Sequence, residues 1–194
     1  MRCILLFILF PVMLAAQDNY TIRELKDGKF KDDKSYIYDL PFEHKKKVFL
    51  IQAYDSKFSH KDELALDFKV RNGTKICAAR DGVVISARGD SDKGGLKDEN
   101  LSDGNYVSIR HSDGSVAHYW HLQKDGVRVA IGDSVKTGQW IGLSGNTGYS
   151  AFPHLHFEVQ GYDDAGNYKQ LPTRFNTRQG VMYLRPGKFY KTIH

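Results

Sequence analysis

Short runs of apolar residues alternate with turn sequences along most of this chain. β-Branched and aromatic residues dominate stretches such as KVFLIQAY, LALDFKV, NYVSIR and HLHFEV, and turns such as RNGT, HSDG and GNTG separate them. This spacing is typical of strands joined by hairpins. No stretch keeps the apolar period of 3.6 residues that an amphipathic helix requires. The pattern predicts a single all-β domain with antiparallel β-sheets in a sandwich-like arrangement, and with long surface loops around a groove.

Composition divides the chain into four segments. Residues 1–16 begin with Arg2, continue as an apolar run and end in small residues, which is the layout of a secretory signal peptide. Residues 17–45 are interpreted as an N-terminal extension, residues 46–160 as the β domain, and residues 161–194 as strands that close the same domain. We therefore expect one folded domain behind a removable leader.

The leader also predicts where the protein acts. Its apolar run is too short to span a bilayer comfortably, and no later run is long and apolar enough to do so. We expect cleavage near Ala16, export to the periplasm or the cell exterior, and no transmembrane segment after cleavage. Cys77 is the only cysteine beyond residue 16, so the mature chain cannot form an internal disulfide.

Composition and charge narrow the classes of partner. With 194 residues, 41% hydrophobic and 26% charged, the chain has a globular balance and enough apolar residues for one core. The formal charge of +5 and the basic run His44–Lys47 favour an anionic partner only weakly. The sequence carries no nucleic-acid-binding motif, so nucleic acid is not an expected partner.

The octapeptide FPHLHFEV, residues 152–159, places two histidines two residues apart on a predicted strand. His154, His156 and Glu158 share one face of that strand, while the apolar residues between them share the other. Two imidazoles on one face suit a metal site or an acid–base pair. Two histidines that simply face solvent are the alternative.

Asp67 and His60 are further candidates. Asp67 interrupts the apolar strand LALDFKV, and His60 lies in a loop that can fold its imidazole back toward the carboxylate. One carboxylate and two histidines, drawn from Asp67, His60 and the pair at 154 and 156, would supply the three protein ligands of a catalytic zinc site. Taken alone, Asp67 and His60 are also compatible with an ordinary surface.

The segment VAHYWHL carries two more histidines, His118 and His121, which are three residues apart. On a regular strand, residues three apart point to opposite faces, so we expect only one of the two to share the polar face with the site. The sequence leaves open which one it is.

Taken in order, five segments resemble the lysostaphin-like zinc metalloendopeptidases, the HxH-motif peptidases that cleave peptidoglycan. The segments are SHKDELALDF, GTKICAARDGVV, HYWHL, VKTGQWIGLSGNTG and HLHFEV. The resemblance implies that His60, Asp67 and His156 bind one Zn²⁺ per chain and that His121 and His154 are catalytic.

The chain departs from the commonest family pattern in two places. Six residues separate His60 from Asp67, whereas many members have three, so His60 must arrive over a longer loop. Ala151 and Phe152 stand where a small Thr-Gly pair is usual, and we expect Phe152 to reshape a wall of the groove and to affect substrate preference.

The resemblance implies a secreted enzyme that hydrolyses amide bonds of cell-wall peptides, or of another exported peptide, through a metal-bound water. Zinc lowers the pKa of bound water toward about 7. His121 and His154 would act as general base and oxyanion partner. Tyr54 is a candidate aid to the oxyanion. Glu158 is a candidate acceptor that orients His156, with a plain exposed side chain as its alternative.

Two other functions fit parts of the sequence. A non-catalytic zinc-containing module with the same fold could act on the wall or on a wall hydrolase, but degenerate members of the resembled family lose ligands, and here all five positions are present. A biotinyl or lipoyl carrier would explain the hairpin IGDSVKTGQWIG, but the chain lacks the modifiable lysine flanked by methionines.

Overall fold

A computed structural model describes residues 24, 25, 27, 36–163 and 165–193. The expected signal peptide at residues 1–16, its cleavage point near Ala16 and most of the expected N-terminal extension lie outside these residues. Among the described residues, no helix is both long and apolar enough to cross a membrane.

The structure is built almost entirely from short strands. The strands before residue 111 are β1 (Tyr36–Asp39), β2 (Lys47–Gln52), β3 (Ala65–Lys69), β4 (Lys75–Cys77), β5 (Gly82–Arg88), β6 (Gly94–Gly95) and β7 (Asn105–Arg110). The strands after it are β8 (Val116–Val127), β9 (Ser134–Val135), β10 (Trp140–Ser144), β11 (Gly148–Tyr149), β12 (His154–Tyr162), β13 (Tyr168–Gln170), β14 (Thr173–Thr177), β15 (Gly180–Met182) and β16 (Lys188–Lys191). A 3₁₀ helix at Asp98–Asp103 precedes β7.

Eleven of these strands form one antiparallel sheet. Its main path runs β16–β2–β3–β12–β8–β7–β5–β9, with β10 beside β8, β4 beside β10 and β13 beside β12. The pairings along this path are all antiparallel. The prediction of an all-β domain with antiparallel sheets is therefore confirmed.

A smaller sheet covers the apolar face of the large one. It consists of β1, β14 and β15, with β1 parallel to β14. Tyr38 and Phe175 from this sheet contact Phe157 of β12, with ring centroids 6.0 and 5.7 Å apart. These edge-to-face contacts join the two layers into one core, which is the sandwich-like arrangement predicted.

Both chain ends contribute to these layers. β1 comes from the segment interpreted as an extension, and it pairs with β14 from the segment interpreted as closing the domain. β16 adds to the edge of the large sheet by pairing with β2. The long polar segment between β5 and β7 is mostly exposed, but it contains β6 and the 3₁₀ helix, and β6 pairs with β11.

The two faces of β12 differ as its alternation predicts. Leu155, Phe157 and Val159 are fully buried in the core between the sheets. His154 and His156 lie on the other face, because successive strand residues point to opposite sides. The two central strands beside β12, namely β3 and β8, place their own polar residues on this second face, which we call the polar face.

Candidate metal and catalytic centre

The centre begins with a pair of residues that face each other on neighbouring strands. Asp67 of β3 is the direct cross-strand partner of His156 of β12. The His156 Nδ1 atom lies 3.0 Å from Asp67 Oδ1. The other carboxylate oxygen of Asp67 accepts a hydrogen bond of 3.1 Å from Gln52 of β2. Regular strand pairing and one amide therefore fix the carboxylate.

His60 reaches the pair from the loop before β3. The loop is closed by main-chain hydrogen bonds from Glu63 to His60 and from Asp55 to Glu63. His60 is buried, and its Nε2 atom lies 3.3 Å from Asp67 Oδ1. The longer spacing between His60 and Asp67 thus still delivers the imidazole to the carboxylate.

These three side chains form a compact donor set. One ligand atom from each of His60, Asp67 and His156 lies within 4.8 Å of the others. Two imidazole nitrogens and one carboxylate oxygen are the ligands that a catalytic zinc site uses. His60 Nδ1 lies 3.4 Å from the Ala53 carbonyl oxygen, which favours the tautomer whose Nε2 lone pair points at the cluster. The residues therefore fit a zinc ion.

His154 borders the donor set from the same strand as His156. Its Nδ1 atom lies 2.8 Å from the Phe152 carbonyl oxygen and 3.2 Å from Ser150 Oγ. Its Nε2 atom lies 3.6 Å from Asp67 Oδ1. An Nδ1 proton donated to the carbonyl leaves Nε2 as a proton acceptor that faces the cluster.

His121 reaches the polar face through a β-bulge. Trp120 and Leu122 pair with consecutive residues of β7, so His121 is the extra residue between them. Its φ of 62° lies in the left-handed region that side-chain-bearing residues rarely adopt. The bulge turns its ring toward His154, with centroids 4.6 Å apart.

The bulge corrects one expectation. His118 also lies on the polar face, opposite Glu158, and its Nδ1 atom lies 2.8 Å from Ser108 Oγ. The prediction that only one of His118 and His121 shares this face is wrong, because the extra residue at 121 resets the alternation.

The electrostatic environment shifts the pKa of the Asp67 carboxylate and the pKa values of the two flanking histidines for different reasons. Burial acts to raise the pKa of Asp67, but hydrogen bonds with His156 and His60 outweigh it and hold the pKa below its usual range. Burial, together with the nearby His154 and His156, lowers the pKa of His121 to about 3. Burial also lowers the pKa of His154. The carboxylate is thus anionic and the flanking imidazoles neutral at pH 7.

Two remaining candidates lie elsewhere than expected. The Tyr54 hydroxyl donates to the Thr173 carbonyl oxygen at 3.1 Å and accepts from the Thr173 N–H at 2.9 Å, inside the core. This engagement does not support an oxyanion role. Glu158 is buried and accepts hydrogen bonds from Gln160 and Gln170, so neither a plain exposed side chain nor a direct acceptor for His156 describes it.

Residues that orient the two flanking histidines were not identified from the sequence. The Thr147 carbonyl oxygen lies 2.7 Å from His121 Nδ1, and the Thr147 hydroxyl joins β7 to β8 by accepting from Asn105 N and donating to the Leu122 carbonyl. Ser150 contacts His154 through its side-chain hydroxyl, whose Oγ atom lies 3.2 Å from His154 Nδ1. In the sequence, Thr147 and Ser150 are marked only by the turn GNTG and the segment that follows it.

Several known proteins are similar to this chain in sequence. The model of peptidase family M23 matches residues 61–168. An uncharacterized metalloprotease of Buchnera aphidicola is 41% identical over 109 residues, which are 56% of this chain and 26% of that protein. The peptidoglycan DD-endopeptidase ShyA of Vibrio cholerae is 40% identical over 93 residues, which are 48% of this chain and 19% of that protein.

Among solved structures, the catalytic domain of the antimicrobial peptidase lysostaphin from Staphylococcus simulans is similar to this chain. It aligns with a TM-score of 0.46 at 32% identity, over 65% of this chain and 88% of that one.

This chain spans about a quarter or less of the lengths of the two sequence relatives, the Buchnera metalloprotease and ShyA, which are matched over 26% and 19% of their lengths.

Proposed function

The chain belongs to peptidase family M23, and from this premise we propose that it is an exported zinc metalloendopeptidase that hydrolyses amide bonds of peptidoglycan peptides. The observation that carries the proposal is the convergence of five side chains on the polar face. The donor set of His60, Asp67 and His156 has ligand atoms within 4.8 Å of one another, and His121 and His154 border it. A non-catalytic zinc-containing module would need the three ligands but not His121 and His154 beside them.

The residues divide into two roles. Zinc held by His60, Asp67 and His156 would act as a Lewis acid that makes water nucleophilic near neutral pH. Amide hydrolysis also needs one group that accepts a proton from the attacking water and one that donates a proton to the leaving amine. Carbonyl oxygens at the Nδ1 atoms of His121 and His154 leave both Nε2 atoms free to accept the proton of the water, and the imidazolium formed in this way can donate that proton to the leaving amine.

The substrate class rests on the relatives. ShyA is a peptidoglycan DD-endopeptidase, and lysostaphin is an antimicrobial peptidase. We therefore propose cell-wall peptides as the substrate of this chain. The leader predicted at residues 1–16 supports a place of action in the periplasm or outside the cell, where such peptides are found.

Release of new amino groups from purified peptidoglycan tests the proposal. Residues 17–194 loaded with zinc should release amino groups, release should stop with a chelator, and added zinc should restore it. His156→Ala should lose both the bound zinc and the activity. Full activity of His156→Ala, or a wild-type protein that binds no zinc, would refute the proposal.

A further inference from the structure

The polar face does not end at the catalytic centre. His154 of β12 pairs directly with Lys69 of β3, Lys69 pairs with Phe49 of β2, and Phe49 pairs with Phe189 of the edge strand β16. Directly paired residues point to the same side of a sheet. One row of side chains therefore runs from a catalytic histidine across three neighbouring strands to the edge of the sheet.

Rings and ammonium groups are in contact along this row. The Phe152 ring lies 5.5 Å from the His154 ring, and the Lys69 ammonium lies over Phe152 at 5.9 Å. Further out, the Phe49 and Phe189 rings are 4.9 Å apart, and the Lys47 ammonium lies over Phe189 at 4.5 Å.

Lys191 is the cross-strand partner of Lys47 at the same edge. We call this surface the cationic shelf, and its residues are Lys47, Phe49, Lys69, Phe152, Phe189 and Lys191.

The shelf is open to solvent and its charge is not neutralised. Phe189 is 56% exposed and Phe152 is 38% exposed, and Lys47 and Lys69 are also exposed. Within the described part of the chain, Lys47, Lys69 and Lys191 have no carboxylate within ion-pairing distance. Exposed aromatic rings between unpaired cations are typical of a surface that binds a partner.

We propose that the cationic shelf is a substrate subsite that binds the carboxylate-bearing peptide on one side of the scissile bond. This inference rests on the proposed function. Lysine ammonium groups attract carboxylates, and the phenylalanine faces pack against the aliphatic parts of the same peptide. Because the row starts at His154, a peptide that leaves the centre in this direction must cross it.

The dimensions fit a short peptide. Three strand spacings of about 4.8 Å separate His154 from Phe189, so the shelf is about 14 Å long. An extended peptide advances about 3.4 Å per residue and would cover the shelf with roughly four residues. Lys69 would meet a carboxylate next to the scissile bond, while Lys47 and Lys191 would meet one near the far end.

Paired substrates test this assignment. The substrates are peptidoglycan peptide dimers cross-linked between D-alanine and diaminopimelate, with the diaminopimelate carboxylates either free or amidated. We expect the wild-type protein to prefer the free carboxylates by about fivefold in kcat/KM, mostly through KM. Lys69→Met should lose this preference, mostly through a higher KM for the dimer with free carboxylates.

Lys188→Met is the matched control. Lys188 lies on the same edge strand next to Phe189, but it pairs with the core residue Leu50 and so belongs to the opposite face. Its substitution removes one positive charge, as Lys69→Met does, but from the opposite face of the sheet, and should leave the preference for carboxylates unchanged. If both variants lost the preference for free carboxylates equally, the preference would depend on net charge alone, and the subsite would be overturned.

Binding separates failure of the subsite from failure of the proposed function. Affinity for the two dimers is measured by calorimetry with the His121→Ala protein, with and without Lys69→Met. Cleavage of both dimers at equal rates, with no effect of Lys69→Met, would reject the shelf and leave the peptidase proposal standing. If neither dimer is cleaved, a carboxylate preference in binding that disappears in Lys69→Met would still support the shelf.

An anionic membrane surface is the competing occupant. Vesicles of phosphatidylglycerol and phosphatidylcholine are sedimented with the wild-type protein and with Phe189→Ser. Binding to the vesicles that depends on Phe189, together with no preference between the two dimers, would overturn the subsite.

Discussion

The two halves of the proposed catalytic centre, its zinc ligands and its proton-transfer groups, are built in different ways. Asp67 and His156 are direct partners in regular, neighbouring strands, and the carboxylate is held by an amide from a third strand. His121 depends on a β-bulge with a left-handed residue, and His121 and His154 are both oriented by carbonyl oxygens of the turns nearby. Sheet periodicity thus places Asp67 and His156 among the proposed zinc ligands, whereas a β-bulge places His121 and turn carbonyls orient both proposed proton-transfer groups.

Loss of the Asp67 carboxylate should have the largest effect, since it breaks the half that depends on regular pairing. We expect Asp67→Asn to lower zinc affinity by at least about a hundredfold and to abolish hydrolysis at stoichiometric zinc, because a neutral amide replaces the anionic ligand. Competition with a zinc chelator measures the affinity. Asp92→Asn, at an exposed ion pair with Lys124, should bind zinc as the wild type does.

Replacement of His154 should affect the other half alone. His154→Ala removes a group that we assign to proton transfer, so hydrolysis should fall roughly 100- to 10,000-fold while the zinc content stays at one per chain. Metal analysis and amino-group release on the same sample check both statements. If His154→Ala lost its zinc together with its activity, His154 would belong to the ligand half.

Two of the three proposed zinc ligands, Asp67 and His156, could be predicted from the sequence because they follow the period of strands. Alternation in HLHFEV put His154 and His156 on one face, and the apolar strand interrupted by Asp67 supplied the carboxylate. The sandwich-like all-β fold followed from the same alternation and the turn sequences between strands. The specific roles of the five residues came from the resemblance to a family rather than from spacing.

The proton-transfer half was less accessible for a physical reason. A bulge adds one residue to one strand, and nothing in VAHYWHL marks the position where it occurs, so the expectation for His118 and His121 was wrong. The candidate roles of Tyr54 and Glu158 are not supported for a similar reason. Tyr54 bonds to Thr173, and Glu158 bonds to Gln160 and Gln170, and sequence spacing does not reveal these contacts.

The hydroxyl of Thr147 allows a finer test of the bulge. Thr147→Val removes the bonds that join Asn105 and Leu122 around His121, so we expect a loss of about 1–2 kcal/mol in the free energy of unfolding. Hydrolysis should fall about tenfold at unchanged zinc content, because His121 is less well positioned. Thr147→Ser keeps the hydroxyl and should keep most of the activity. Equal losses in the two variants would show that the methyl group matters instead.

The smallest expected effect concerns a histidine outside the centre. The Nδ1–H group of His111 donates a hydrogen bond of 2.7 Å to the Asp81 carbonyl oxygen, and burial lowers the pKa of His111. The neutral form therefore stabilises the fold above the unfolded pKa of about 6.5, and this contribution is lost as the pH falls below it. His111→Gln should cost about 1 kcal/mol at pH 8 and less at pH 5.

Urea unfolding at the two pH values measures this difference. A cost that grew toward pH 5 would mean that the protonated form of His111 is the stabilising one. Arg178→Gln, at an exposed position, is the control and should change stability by less than about 0.5 kcal/mol at either pH.

The division of the centre into two halves is tested most directly by the rate of amino-group release from peptidoglycan per bound zinc, measured for the wild type and His121→Ala. We predict one zinc per chain in both proteins, release by the wild type in proportion to its zinc, and almost none by His121→Ala. Equal release per zinc in the two proteins, or none from fully loaded wild-type protein, would contradict the assignment of zinc binding to one half and proton transfer to the other.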